Sequence, residues 1–158
     1  MDNAHLRQQI AAMRHSFFDE EILDGQFCQL ERLENGGNPN FVEEVLTMYF
    51  RDSTILLQSV EQQMETDTTD LARVDRMLHK FKGSTASIGA CKVRDNITKT
   101  RELLEEGDLE RAKLAFRQLR MEHNNLRAKL EPYFQQLRQV GPVETATRPR
   151  GSDHAFIK

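Results

Sequence analysis

Apolar residues recur at three- and four-residue intervals along most of this chain, and strand-like alternation of β-branched residues is absent. That spacing turns one side of each segment toward a core and predicts helices throughout. The first covers about residues 3–17, with Leu6, Ile10, Met13 and Phe17 as its stripe. A shorter one runs over about 27–34 through Phe27, Leu30 and Leu33, and stops at Gly36-Gly37, where left-handed backbone costs little. Asn38-Pro39 reads as an N-cap followed by proline in the first turn. The long third helix then holds its spacing to about residue 65 on Val42, Val45, Leu46, Tyr49, Ser53, Leu56, Val60 and Met64.

Thr66-Asp67-Thr68-Thr69 interrupts the pattern and offers side-chain oxygens to cap a fourth helix. The stripe of that helix is Leu71, Val74, Leu78, Phe81, Thr85 and Ile88, and it runs to about Gly89-Ala90. A fifth helix occupies about 92–106 and ends at Gly107. Asp108 caps a sixth, whose heptad-like seam is Leu109, Ala112, Phe116, Leu119, His123, Leu126, Leu130, Tyr133 and Leu137. Pro132 is expected to bend or weaken its last turns. The pattern predicts an all-α fold, an antiparallel four-helix bundle preceded by two shorter N-terminal helices. One domain is expected over residues 1–140. Gly141, Pro142, Pro149 and Gly151, among few apolar residues, mark 141–158 as a flexible tail.

Composition removes several function classes. A net charge of −3 lacks the basic footprint that nucleic acid requires. No apolar run approaches the ~20 residues that span a bilayer, and the N-terminus shows no secretory signal. Cys28 and Cys91 lack metal-type spacing and are expected to stay reduced, in the cytoplasm or nucleus.

Of the five histidines, His5 and His15 sit among polar neighbours, His154 lies in the tail, and His123 falls on the seam as a hydrogen-bonded core residue. No HxxxH or CxxH spacing supports a zinc site. A carboxylate–histidine metal bundle would need Glu-x-x-His pairs, which are missing. His79 differs. It lies roughly 130° from the centre of its helix's apolar face, so it points to solvent. Lys82 and Gly83 follow at i+3 and i+4, with Ala86 and Ser87 a turn further on the same side. Gly83 costs about 1 kcal/mol against alanine in a helix, and Ser84, Thr85 and Ser87 are also weak helix formers. Such a run has two explanations at this stage: close approach of a partner macromolecule, or tight packing of another helix on Gly83.

The stretch His79-Lys80-Phe81-Lys82-Gly83-Ser84-Thr85-Ala86-Ser87-Ile88-Gly89-Ala90 resembles a signature of plant histidine-containing phosphotransfer proteins. That signature is His-x-x-Lys-Gly-Ser-[Ser/Thr]-x-Ser-[Ile/Val]-Gly-Ala. The likeness covers roughly residues 3–140, with Lys80 and Phe81 as mild departures where Gln and Leu are common. The family also holds pseudo-members that have lost the histidine, which this chain retains. The resemblance implies that His79 accepts a phosphoryl group on Nε2 from the receiver domain of a hybrid sensor histidine kinase and hands it to a response regulator, in cytokinin signalling. Lys82 would offset phosphoryl charge, and Gly83 would give steric access.

No carboxylate cluster accompanies His79, so Mg²⁺ is expected on the partner receiver and no cofactor on this chain. No nucleotide-binding motif is present, which points to a phosphocarrier without kinase activity of its own. The expected state is a monomer in cytoplasm and nucleus, without nucleic-acid or membrane partners. Ala86 and Ser87, with Gln26, Phe27 and Leu30 from the second helix, are the candidate docking residues. Arg94, Lys99 and Arg101 either add positive charge near that interface or are merely solvated. A helical adaptor that binds receivers without phosphate turnover is the alternative function.

Overall fold

Helical periodicity in the sequence becomes six α-helices and one 3-10 turn in a computed structural model, which describes residues 2–66 and 70–140. They are α1 (Asp2–Asp19), α2 (Gly25–Arg32), a 3-10 turn (Leu33–Gly36), α3 (Phe41–Met64), α4 (Leu71–Ser87), α5 (Cys91–Glu105) and α6 (Leu109–Val140). The described residues include no strand. Helices α3 to α6 form the bundle: α5 packs against α4 and α6, and α3 against the same two. The α4–α5 and α5–α6 connections span only a few residues, which makes those neighbours antiparallel. Helix α1 lies along α6, and α2 leans on α3 and α4. At 18 residues α1 is longer than α4 (17) or α5 (15), so only α2 is a short N-terminal helix.

The core runs the length of the bundle through Leu46, Val60, Val74, Leu78, Phe81, Ile97, Leu119, Leu126 and Leu130, all essentially buried. Burial of each such side chain is worth about 1.5–3 kcal/mol, enough to fix which face of each helix turns inward. On α3 the buried positions include Phe50 and Leu57, whereas Val45 and Leu56 are only half-buried. At mid-bundle His123 shares a 2.7 Å hydrogen bond with Ser53 Oγ and meets the rings of Phe50 and Phe81 edge-on. Burial pushes its imidazole down to about 4, and Arg127 and Arg120 add to the shift. This is the hydrogen-bonded core histidine expected from the seam.

Aspartates close three helix N-termini. Asp24 accepts from Gln26 N, Asp70 from Arg73 N, and Asp108 from Arg111 N. Asp70 thus caps α4 in place of the Thr66–Thr69 segment; Thr66 Oγ1 instead donates back to Gln63 O, and 67–69 lie outside the described residues. Helix α3 starts at Phe41 rather than at Pro39. Asn38 folds its side chain onto Asn40 N at 3.0 Å, making a turn before the helix, and the Glu34 carboxylate takes Val42 N at 3.0 Å. Helix α6 continues through Pro132 to Val140. The tail expected over 141–158 lies outside the described residues.

Candidate functional site

Helix α4 presents two unlike faces. Val74, Leu78, Phe81 and Thr85 are buried, while His79, Lys80, Gly83, Ser84 and Ser87 are exposed and Lys82 and Ala86 half-buried. The buried face is pinned from α3: Tyr49 stacks on Phe81 at 6.1 Å, and its hydroxyl is hydrogen-bonded to Thr85 Oγ1 at 2.8 Å. Burial raises the Tyr49 phenol well above its usual range, so it stays protonated. With that side locked, the opposite side of the helix has only one way to point. His79 is therefore held outward by the core beneath it.

Gly83 decides between the two explanations of the small-residue run. A Cβ built there meets nothing within 4 Å, so no packed helix requires glycine at this position. Ser84 Oγ donates to Phe81 O at 3.1 Å and Ser87 Oγ to Ser84 O at 2.7 Å, so both hydroxyls fold back on the helix. The surface beside the imidazole is shallow and open.

Gly89 is the opposite case. Its φ is +79°, and a Cβ would stand 2.5 Å from Phe27 N and 2.9 Å from Asp24 Oδ1. Its carbonyl accepts from Asp24 N at 2.9 Å, and Arg94 holds the same aspartate at 3.1 Å. The last part of the motif therefore seats the start of α2 against the α4–α5 turn. This corrects two proposed docking residues: Phe27 is fully buried and Leu30 is 8% exposed, because α2 turns this face into the core. Neither can meet a partner. Gln26 is exposed, and Arg94 is committed to Asp24 and Asp95.

One neighbour of the imidazole escaped the sequence reading, and another was left undecided. Arg101 reaches across from α5 and places Nη1 3.0 Å from His79 Nδ1. Its Nε and Nη2 donate to Asp75 Oδ1 and Oδ2 at 2.8 and 3.2 Å. The guanidinium, foremost through these hydrogen bonds, holds the Asp75 carboxyl below its ordinary range. Asp75 lies four residues before His79, so its place on the same face was legible. The approach of Arg101 depends on how α5 packs on α4, which no local pattern encodes. Beside this trio a groove of about 390 Å³ runs between α4 and α5, with Lys82, Thr98 and Glu105 in its walls. Among the described residues no carboxylate is ion-paired with Lys82, and Lys99 is exposed. Among them too, no three His, Cys, Asp or Glu side chains are grouped to hold a metal, and no helix is long and apolar enough to cross a membrane.

An all-helical bundle that presents a histidine outward beside a lysine and an open glycine has the form of a phosphohistidine carrier. The Hpt-domain family matches residues 44–129, a span that contains α4, α5 and the trio. The chain belongs to this family, the histidine phosphotransfer proteins of two-component phosphorelays, which carry phosphoryl groups and are not kinases. It is 48% identical over 113 residues to histidine-containing phosphotransfer protein 4 of Arabidopsis thaliana, covering 72% of this chain and 89% of that one. It is 44% identical over 151 residues to pseudo histidine-containing phosphotransfer protein 5 of Oryza sativa subsp. japonica, covering 96% and 99%. The crystal structure of a histidine-containing phosphotransfer protein from Medicago truncatula superposes with a TM-score of 0.83 at 32% identity, over 94% of this chain and 97% of that one.

Proposed function

We propose that this chain is an active phosphocarrier in which His79 Nε2 takes a phosphoryl group from the aspartyl phosphate of a hybrid sensor kinase's receiver and passes it to a response-regulator aspartate. The observation that carries the reading is the outward His79 with Gly83 open beside it and Lys82 one turn along. In the first step the Nε2 lone pair attacks phosphorus, and the P–O bond breaks with its electron pair left on the donor carboxylate. In the second, the acceptor carboxylate attacks and the P–N bond breaks, its pair returning to Nε2. Phosphoryl transfer asks a protein mainly for position and charge. Lys82 supplies charge at the phosphoryl oxygens, and Gly83 leaves room for the incoming receiver loop. Ala86, Ser87 and Gln26 border the contact area.

Mg²⁺ comes with the receiver. In this reading the chain works as a monomer in cytoplasm and nucleus and serves cytokinin signalling, a role supported by its resemblance to plant phosphotransfer proteins. The rival is an adaptor that occupies receivers without turnover, which the similarity to a pseudo-phosphotransfer protein keeps in view. Incubation with a phosphorylated receiver and Mg²⁺ separates them. Acid-labile, base-stable label is expected on the wild type and not on His79→Gln; receiver binding without label on either would establish the adaptor.

A further inference from the structure

A guanidinium group has five N–H donors and no acceptor, so in the Arg101–His79 contact Nδ1 must be the accepting nitrogen. The neutral ring then carries its proton on Nε2. A ring nitrogen that bears a proton has no free lone pair to offer, and Nε2 is the atom that the carrier reading requires as nucleophile. We propose that Arg101, anchored by Asp75, is a latch: it holds Nδ1 free of a proton and keeps His79 unreactive until a docked receiver draws the guanidinium away. This rests on the carrier reading given above.

The geometry suits a latch. Arg101 spends two of its nitrogens on Asp75 and has Nη1 left for the ring. Its side chain is 26% exposed and that of Asp75 42%, so an approaching surface can reach the pair. The charged groups that face the ring are Asp75 on α4 and Arg101 on α5, and Arg101 in turn faces Glu105; Lys82, Glu102 and Glu105 line the groove beside them. From α3, Tyr49 meets α4 on the opposite face at Phe81 and Thr85; from α2, Asp24 meets it only at the Gly89 turn.

The same contact fits the loaded carrier. Attack by the Nε2 lone pair first gives a phosphorylated ring with a proton on Nδ1, and loss of that proton to water leaves Nδ1 as an acceptor for Arg101. For the phosphoryl group to leave, to water or to a carboxylate, the P–N electron pair must return to Nε2. If Nδ1 carries a proton the departing group is neutral imidazole; if Arg101 occupies Nδ1 it is an imidazolate, a far poorer leaving group. Arg101 is a positioning residue here, acting through the imidazole and not on phosphorus.

The test loads the chain with phosphoramidate, a small donor that needs no receiver, and follows loss of label against pH, with His79→Gln subtracted for other histidines. Arg101→Met and Asp75→Asn are expected to lose phosphate about fivefold faster near neutral pH, the size of one partly exposed charge-assisted hydrogen bond. The acid limb of the profile moves correspondingly upward in pH. Arg101→Lys keeps the charge but cannot grip Asp75 and Nδ1 together, so it should resemble Arg101→Met. Nitrogen-15 spectra of the unloaded wild type should show no Nδ1–H form, which appears in Arg101→Met. An unchanged pH profile in Arg101→Met, full rescue by lysine, or an Nδ1–H tautomer in the wild type would each overturn the latch. A wild type labelled by neither phosphoramidate nor receiver refutes the carrier reading itself, and the tautomer spectrum separates that failure from failure of the latch.

Discussion

Gly83 makes an unusual forecast, because the same substitution should improve the fold and damage the function. The residue sits inside α4 with helical backbone and nothing within 4 Å of a built Cβ. Alanine there avoids the entropic cost of glycine and meets no steric penalty, which is worth about 1 kcal/mol. For a domain of this length that raises Tm by roughly 2–4 °C. Glutamine should gain somewhat less, since its helix propensity lies a few tenths of a kcal/mol below alanine's. At the docked surface the order reverses. Forcing extra atoms into a close contact costs about 1–3 kcal/mol, a slowing of roughly 5- to 150-fold, with alanine at the low end and glutamine at the high end. Urea unfolding and single-turnover transfer from a phosphorylated receiver measure the two effects on the same samples. A destabilised Gly83→Ala would mean that the position is packed after all. Wild-type transfer by Gly83→Gln would show that no partner comes close to it.

Gly89→Ala should behave oppositely, losing at least about 2 kcal/mol in denaturant unfolding because a positive φ, the Phe27 backbone and the Asp24 carboxylate leave no space; stability equal to wild type would contradict the seating of α2. Lys82→Ala should slow transfer several-fold with unfolding unchanged, and an unaltered rate removes its proposed role. Acid should weaken the bundle through His123, whose ordinary value of 6.5 falls to about 4 on folding. The unfolded chain then binds a proton that the folded chain refuses, so stability falls as pH drops from about 6.5 to 4, by about 3 kcal/mol in all at 1.36 kcal/mol per unit. Asp75, held low, adds a loss in the same direction only at lower pH. Unfolding followed from pH 7 to 4.5 in wild type and His123→Leu checks this; equal slopes in the two would exclude His123 as the source.

Much of this was legible because helix periodicity is a local property. The stripe of α4 set Leu78 and Phe81 inward and therefore His79 outward, and the seam of α6 set His123 inward. The misreadings arose where distant segments meet. Phe27 and Leu30 form an apolar stripe in either case, and only the fit of α2 against Gly89 shows that they are core. The motif looks continuous in sequence, yet Gly83 is free for a partner and Gly89 is needed by the fold. Arg101 lies 22 positions from His79, and its place at Nδ1 follows from the α4–α5 crossing alone. The start of α3 was misplaced because Asn38-Pro39 serves a turn as readily as a cap.

The imidazole of His79 contributes nothing to the core that positions it: Leu78 and Phe81 are buried beside it, and among the described residues its ring is hydrogen-bonded to the half-buried Arg101. Selection for a stable fold therefore gives the histidine no protection. A single codon change can abolish the chemistry while every helix, and the surface offered to receivers, persists. The resulting protein would be a well-folded competitor for the same partners, so lineages carrying this scaffold can convert a conductor of the signal into a damper in one step. The reverse conversion is equally short.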